Sequence, residues 1–282
     1  MGLGVTLRKA ALEGGWYPRD GGELLRLLAR WLPERVEGKA FAALAPHAGW
    51  IYSGKLSALA VASLRPSETI AVVGGHLGFR DPMLCAYEEN FETTGGILET
   101  DSELRAALIV ELRDSGLSAP LEDEEADNSV EVILPLIKAL QPQARILWLR
   151  CPPRSDSKEL GAALGRAAAF LGRKVSCIGS TDLTHYGPAY GFTPAGKGAE
   201  AEAWVRRVND KAFVDALLDM NCESALLVAR KHGSACSAGA AAAALGFALE
   251  AGATEASLLG YSTSLDVRRA ESFVGYAALA FS

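Results

Sequence analysis

The residues of this chain that could carry chemistry are few, with 4 His and 5 Cys among 282 residues. Three of the histidines, His47, His76 and His185, each follow a predicted strand closely. In an open α/β sheet, the loops that leave the carboxyl ends of the strands converge on the ligand crevice. We therefore expect these three imidazoles to meet in one pocket. His232 precedes Gly233 at a predicted helix end, where a cation favours the helix dipole, so we interpret it as structural.

Cys236 differs from the other cysteines because it opens a long Ala-rich segment, residues 233–249, which is predicted to form a buried helix. A thiol at a helix N-terminus lies at the positive end of the dipole, which favours the thiolate that binds metal or acts as a nucleophile. The alternative is a small buried hydrophobic residue. We prefer that alternative for Cys85, Cys151, Cys177 and Cys222. No C-x-x-C pair occurs, so neither a disulfide framework nor a zinc knuckle is indicated.

Two neutral imidazoles and one thiolate could hold a divalent metal with positions left open for substrate. A sulfur ligand favours Fe(II), Zn(II) or Cu over Mg or Ca. Asp182 lies three residues before His185 and could orient that ring or act as an acid or base beside the metal. Asp127 and Glu131 are further carboxylates near a helix start, where capping of the helix is at least as good an interpretation.

The elements that must position these residues alternate between apolar β-type runs and helical patterns, which is typical of an α/β layered fold. Predicted strands span residues 40–45, 69–73, 145–149, 174–178, 255–261 and 272–280. Predicted helices span residues 23–31, 54–64, 101–112, 130–140, 158–171, 200–218 and 224–231, besides 233–249. The strands are almost continuously apolar, which predicts a central sheet flanked by helices on both sides. No linker or repeat divides the sequence, so a single α/β domain over residues 1–282 is expected.

Composition excludes several classes of protein. Apolar residues make up 49% and charged residues 22% of the chain, as in ordinary globular proteins. The net charge is −6 and no run of Lys and Arg occurs, so neither nucleic acid nor an acidic membrane is the expected partner. The N-terminal residues lack a signal-peptide pattern, and with the unpaired cysteines this favours a cytoplasmic protein. The G-x-x-x-x-G-K-[ST], G-x-S-x-G and H-E-x-x-H patterns are absent, which disfavours nucleotide binding and serine hydrolysis.

Several blocks of the sequence resemble the MEMO family, whose prokaryotic members are called AmmeMemoRadiSam system protein B. The most specific are PHAGWIYSG at residues 46–54 and STDLTHYG at residues 180–187. Further matching blocks are GGWYP at 14–18, GGH at 74–76, SVEVILP at 129–135 and the segment around Cys236. Together they extend over nearly the whole chain.

The resemblance implies a fold like that of the class III extradiol ring-cleaving dioxygenases, in which two His and a carboxylate hold non-haem Fe(II). His47 and His76 match the two His ligands, and Cys236 falls where the dioxygenases have the carboxylate. His185 matches a further pocket His that would act as an acid or base or contact substrate, and Asp182 lies in the same block. The implied cofactor is Fe(II), with Zn or Cu as the other candidates.

Two positions depart from the family's pattern. Many members read E-H-S where this chain has Asp127-Asn128-Ser129, so a role of that His as ligand or acid–base group is absent here. Other members read G-P-x-H where this chain has Gly74-Gly75-His76, which changes the backbone that precedes His76.

Three functions use these residues. The first is a dioxygenase-like, Fe(II)-dependent oxidoreductase acting on a small organic substrate, although a thiolate ligand disfavours cleavage of a catechol ring. The second is a non-catalytic or regulatory metal-binding protein that works with AMMECR-like and radical SAM partners. Eukaryotic relatives are implicated in recognising phosphorylated peptides, but only isolated Lys55 and Arg80 lie near the motifs. The third is a metal-free thiol enzyme or hydrolase that uses Cys236 with His185.

Overall fold

The computed structural model describes residues 6–34 and 36–282, so the first five residues of the N-terminal segment considered above lie outside the described part. The strands are β1 Leu7–Arg8, β2 Ala42–Ala45, β3 Thr69–Gly74, β4 Leu84–Cys85, β5 Asn90–Thr93, β6 Gly96–Glu99, β7 Leu121–Glu122, β8 Arg145–Arg150, β9 Val175–Ser180, β10 His185–Tyr186, β11 Ala256–Thr263 and β12 Phe273–Phe281. The α-helices are α1 Gly21–Trp31, α2 Trp50–Ser63, α3 Ser102–Asp114, α4 Asn128–Glu131, α5 Leu134–Leu140, α6 Asp156–Phe170, α7 Gly198–Trp204, α8 Asp210–Leu218, α9 Cys222–His232 and α10 Ala238–Glu250.

The main sheet has the order β10-β12-β2-β9-β3-β8-β4-β7, and β11 pairs with β12 as well. Its centre, β2-β9-β3-β8, is parallel. The β12 strand pairs antiparallel with β2, and β4 pairs antiparallel with β8. The parallel centre is the part that the apolar runs predicted, and its four strands end at one edge of the sheet.

Helices cover both faces of this sheet, as predicted. Side chains alternate along each strand, so Leu44 packs into the core beside α6 and α10, whereas Ala43 packs into the core beside α2 and α5. The Ala-rich α10 lies very close to α6, because a Cβ added at Gly161 would fall 1.9 Å from the carbonyl oxygen of Ala243. Small residues on both helices allow this approach, which explains the composition of α10.

Some predicted boundaries are wrong. The predicted helix over residues 130–140 is divided into α4 and α5, and Pro135, which has no N–H to donate, occupies the first turn of α5. A π-helical turn over Val205–Asn209 interrupts the predicted helix over 200–218. The predicted helix over 233–249 begins only at Ala238, because the N–H of Cys236 bonds to the carbonyl of Asp182 instead of entering the helix.

A small second sheet, β1-β5-β6, was not predicted. Its strands are two to four residues long and partly exposed, so they lack a continuous apolar run. Across the described residues, none of the helices combines the length and the apolar character that crossing a membrane requires.

Candidate metal centre

The carboxyl ends of the parallel strands place the candidate residues side by side. His47 follows β2, His76 follows β3, and Asp182 follows β9. Cys236 arrives from the loop between α9 and α10. One donor atom each from His47, His76 and Cys236 lies within 4.8 Å of the other two. The structure therefore brings together the three residues that the sequence proposed as metal ligands.

His47 is buried, and both its ring and its backbone make polar contacts. Its ring Nδ1 lies 3.0 Å from the hydroxyl of Ser180, and its Nε2 lies 3.3 Å from the sulfur of Cys236. Its backbone N–H donates to Oδ1 of Asp182 at 2.8 Å, and its carbonyl accepts from the side-chain amide of Asn128 at 3.1 Å. These contacts fix the ring in one orientation, with Nε2 directed at the thiol.

His76 lies in the loop that follows β3, and its backbone is in the left-handed region with φ 59°. The glycine before it permits the loop to pack closely against the start of α10, because a Cβ at Gly75 would lie 2.4 Å from Cβ of Ser237. The ring of His76 meets the ring of His47 edge-on, with centroids 4.8 Å apart. The Gly-Gly sequence that departs from the family's pattern thus still delivers His76 to the site.

A network of ion pairs fixes the His76 ring through its Nδ1 atom. Nδ1 of His76 lies 3.1 Å from Oδ2 of Asp127, which also lies 3.3 Å from Nη2 of Arg150. The Arg150 side chain is 2% exposed, and its Nε donates to the carbonyl of Gly75 at 3.1 Å. Its Nη1 bonds to Asp123 at 3.1 Å. Arg150 therefore supports both the ring partner of His76 and the backbone that precedes it.

Hydrogen bonding makes His76 and Asp127 an ion pair when no metal is bound. The hydrogen bond with Asp127, together with one from Cys236, raises the pKa of His76 to about 9. Burial opposes ionisation of Asp127, but hydrogen bonds from His76 and Ser129 lower its pKa to about 2. Asp127 also caps α4 by accepting from the N–H of Ser129 at 2.9 Å. The predicted capping role is therefore confirmed, and Asp127 has a second role as the partner of His76.

Cys236 is the half-buried cysteine of the chain, whereas the other four are buried. Its sulfur lies 3.7 Å from the hydroxyl of Thr181, and its N–H donates to the carbonyl of Asp182 at 3.2 Å. Burial raises the pKa of the Cys85 thiol to about 12 and that of Cys222 to about 11. The buried cysteines thus behave as small hydrophobic residues.

His185 faces the same pocket from β10. Its Nδ1 donates to the carbonyl of Leu183 at 3.1 Å, which leaves Nε2 as an acceptor directed away from that bond. Burial lowers the pKa of His185, so the neutral ring is favoured. The sequence suggests Asp182 as the group that orients this ring, whereas in the structure Asp182 accepts from His47 and the carbonyl of Leu183 holds His185.

Glu131 lies outside this centre. Its carboxylate accepts from the N–H of Leu12 at 2.7 Å and from the hydroxyl of Tyr17 at 2.8 Å. It therefore anchors the N-terminal segment to α4.

A cavity of about 390 Å³ opens above the His-His-Cys cluster. Its walls comprise the three histidines and Asp182 together with Trp16, Ala48, Gly49, Tyr52, Asn128, Tyr190, Val274 and Tyr276. The sequence interpretation missed these aromatic walls, since Trp16, Tyr190 and Tyr276 come from distant segments. Neither Lys55 nor Arg80 lines the cavity.

The donor set fits a transition metal with a preference for nitrogen and sulfur. Ser180 and Asp127 engage Nδ1 of His47 and of His76, so each ring presents its Nε2 to the cluster. Partners of this kind fix the ring orientation of metal-binding histidines and tune the affinity for the metal. The three donors are thus arranged as a candidate metal centre, with a histidine and aromatic residues lining the adjacent cavity.

Fold and site define an α/β protein whose parallel strands end at a His-His-Cys cluster. The family model described as Memo-like protein matches residues 8–280, so the chain belongs to the Memo family, as its motifs predicted. A MEMO1 family protein of Thermococcus onnurineus is 33% identical over 98% of this chain and 99% of its own length. One from Thermococcus kodakarensis is 31% identical over 98% and 99%. The crystal structure of an uncharacterized protein from Escherichia coli K12 shares the fold, with a TM-score of 0.54, 13% identity, and coverage of 86% of this chain and 100% of that one.

Proposed function

We propose that this protein binds Fe(II) through His47, His76 and Cys236 and acts as an oxidoreductase on a small organic substrate. The observation that carries the proposal is the convergence of three donor atoms within 4.8 Å of one another, two of them on histidines that line a cavity. Zn(II) and Cu are the other metals that this donor set suits. Bound Fe(II) would supply one-electron redox chemistry and an electrophilic centre.

The chain's own residues supply proton transfer and positioning. Neutral His185 presents Nε2 to the cavity and would take a proton from a substrate there. Asn128 also lines the cavity, but its amide does not titrate and donates to the carbonyl of His47, so it supports a candidate ligand and takes no part in proton transfer. A sulfur ligand is itself oxidisable, which favours substrates other than catechols.

The test is anaerobic purification followed by Fe(II) titration and measurement of O₂ uptake with a panel of small organic substrates. We expect one Fe(II) per chain in the wild type and its loss in His47→Ala and Cys236→Ser. His232→Ala is the matched control, because His232 is exposed at the end of α9 and should leave Fe(II) binding unchanged.

Metal content that neither ligand variant alters would overturn the proposal. Tight Fe(II) binding without O₂ uptake on any substrate would favour instead a regulatory metal-binding protein. Such a protein would act with AMMECR-like and radical SAM partners, and binding to those two proteins would then be measured directly.

A further inference from the structure

We infer that the cavity above the His-His-Cys cluster recognises a small organic substrate through a protonated amine. The feature that points to this chemistry is the carboxylate of Asp182, which lines the cavity together with several aromatic rings. This assignment rests on the proposed role of the cavity as the substrate site.

Asp182 presents a free acceptor to the cavity. Its Oδ1 accepts from the N–H of His47, and within residues 6–34 and 36–282 no donor bonds to its Oδ2. The residue is only 4% exposed, and it lines the cavity, so a ligand there is what reaches this oxygen. A carboxylate oxygen that is open to a cavity and has no donor from the protein is a strong site for an N–H cation.

The remaining charges around the cavity do not compensate Asp182. Among residues 6–34 and 36–282, no Lys or Arg lines the cavity, and Nδ1 of His76 is bonded to Asp127. Burial keeps His185 neutral by lowering its pKa, and burial together with the Asp182 charge raises the pKa of Tyr190. Asp182 is therefore a carboxylate of the cavity wall that no lining Lys or Arg neutralises, which disfavours an anionic substrate.

The walls fit the same ligand. Trp16, Tyr52, Tyr190 and Tyr276 line the cavity, and the ring of Tyr190 meets His185 edge-on at 4.9 Å. Aromatic faces attract cations, and they also pack against the apolar part of an organic amine. Nε2 of His185 is a second acceptor, and a primary ammonium group has three donors to share. The volume of about 390 Å³ is at the small end of ligand pockets, which run from roughly 300 to 1,000 Å³.

The test compares three probes that share one ring and differ in charge, namely benzylammonium, benzyl alcohol and benzoate. Binding to the full-length chain is measured by calorimetry near neutral pH without metal, so that a free amine cannot bind as a metal ligand. We expect benzylammonium to bind about tenfold more tightly than benzyl alcohol, and benzoate to bind most weakly.

Asp182→Asn removes the charge and retains an oxygen that can accept from His47. We expect this variant to lose about tenfold in affinity for benzylammonium and little for benzyl alcohol. Asp219→Asn, at an exposed residue beyond α8, is the control and should bind as the wild type does. Equal binding of the charged and neutral probes, a preference for benzoate, absence of binding by all three, or an unaffected Asp182→Asn would each overturn the inference.

A separate Fe(II) titration distinguishes this inference from the proposed function. Selective binding of benzylammonium by a protein that does not bind Fe(II) would support the cation site while the metal proposal fails. Fe(II) binding with no selectivity among the probes would overturn the cation site alone.

Discussion

Replacing Asp127 with Asn tests whether the ion pair between His76 and Asp127 stabilises the metal-free protein. His76 has a pKa of about 9 in the fold and an ordinary value of 6.5, so its contribution is present below about pH 6.5 and is lost as pH rises through 9. Asp127, with a pKa of about 2, contributes above about pH 4 and loses that contribution as pH falls through 2. The pair therefore stabilises most between about pH 4 and 6.5.

The magnitude follows from the pKa of His76. The difference between 6.5 and about 9 corresponds to at most about 3.4 kcal/mol, at about 1.36 kcal/mol for each unit of pKa. The His76 side chain is 33% exposed, so solvent screening reduces this to about 1–2 kcal/mol. When pH rises from 6 to 9.5, the free energy of unfolding of the wild type should therefore fall by about 1–2 kcal/mol more than that of Asp127→Asn.

The assay is urea unfolding at these two pH values in the presence of a chelator, with an NMR titration of the histidine rings. In the variant, the pKa of His76 should fall from about 9 towards 6.5. Loss of this support should also weaken Fe(II) binding by about 10–100-fold. The same pH dependence in both proteins, together with an unchanged pKa of His76, would refute the role assigned to Asp127.

Three further predictions concern other parts of the structure. Burial raises the pKa of Asp210 from 3.8 to about 6, so the carboxyl group stabilises the fold less as pH rises from about 4 to 6. Over this range the free energy of unfolding of the wild type should fall by up to about 3 kcal/mol more than that of Asp210→Asn, as measured by urea unfolding. Gly75→Ala places a Cβ 2.4 Å from Cβ of Ser237, so we expect the protein to be destabilised by about 1–3 kcal/mol and to bind Fe(II) more weakly. Gly21→Ala is the control, because a Cβ there has no neighbour within 4 Å and should not destabilise the protein. Brief treatment with iodoacetamide should alkylate Cys236 alone, because the other four cysteines are buried. Peptide mass spectrometry would identify the labelled cysteine, and bound Fe(II) should slow its labelling. Early labelling of another cysteine would contradict the prediction.

The central layers of the fold could be predicted because local pattern and burial agree there. The apolar runs that become β3 and β8 lie within one residue of the predicted bounds, since a strand covered on both faces must be apolar throughout. The short strands β5 and β6 could not be predicted, because one helix packs against them and their other side chains face solvent. The break before α10 depends on a hydrogen bond between Cys236 and Asp182, which no local pattern encodes.

The His-His-Cys cluster could be predicted because residues after parallel strands meet at one edge. The residues that hold it were harder to find. Arg150 looks like an ordinary polar end to an apolar strand, and only the fold shows that it lies beside Asp127 and Gly75. The aromatic wall likewise depends on Trp16 and Tyr276, which are far from each other in the sequence and meet only in the folded chain.

The position of β12 has a consequence for how the protein matures. This strand lies between β2 and β10, the strands that lead to His47 and carry His185, and it is the last strand of the main sheet in chain order. His47 and Cys236 are 189 residues apart in the chain. During synthesis the first histidine therefore emerges long before its sulfur partner, and the strand that joins the two halves of the pocket comes later still. If the chain binds metal as proposed, loading would follow completion of the sheet, because a nascent chain that stops before β12 holds the candidate ligands without the strand that joins the two halves of the pocket.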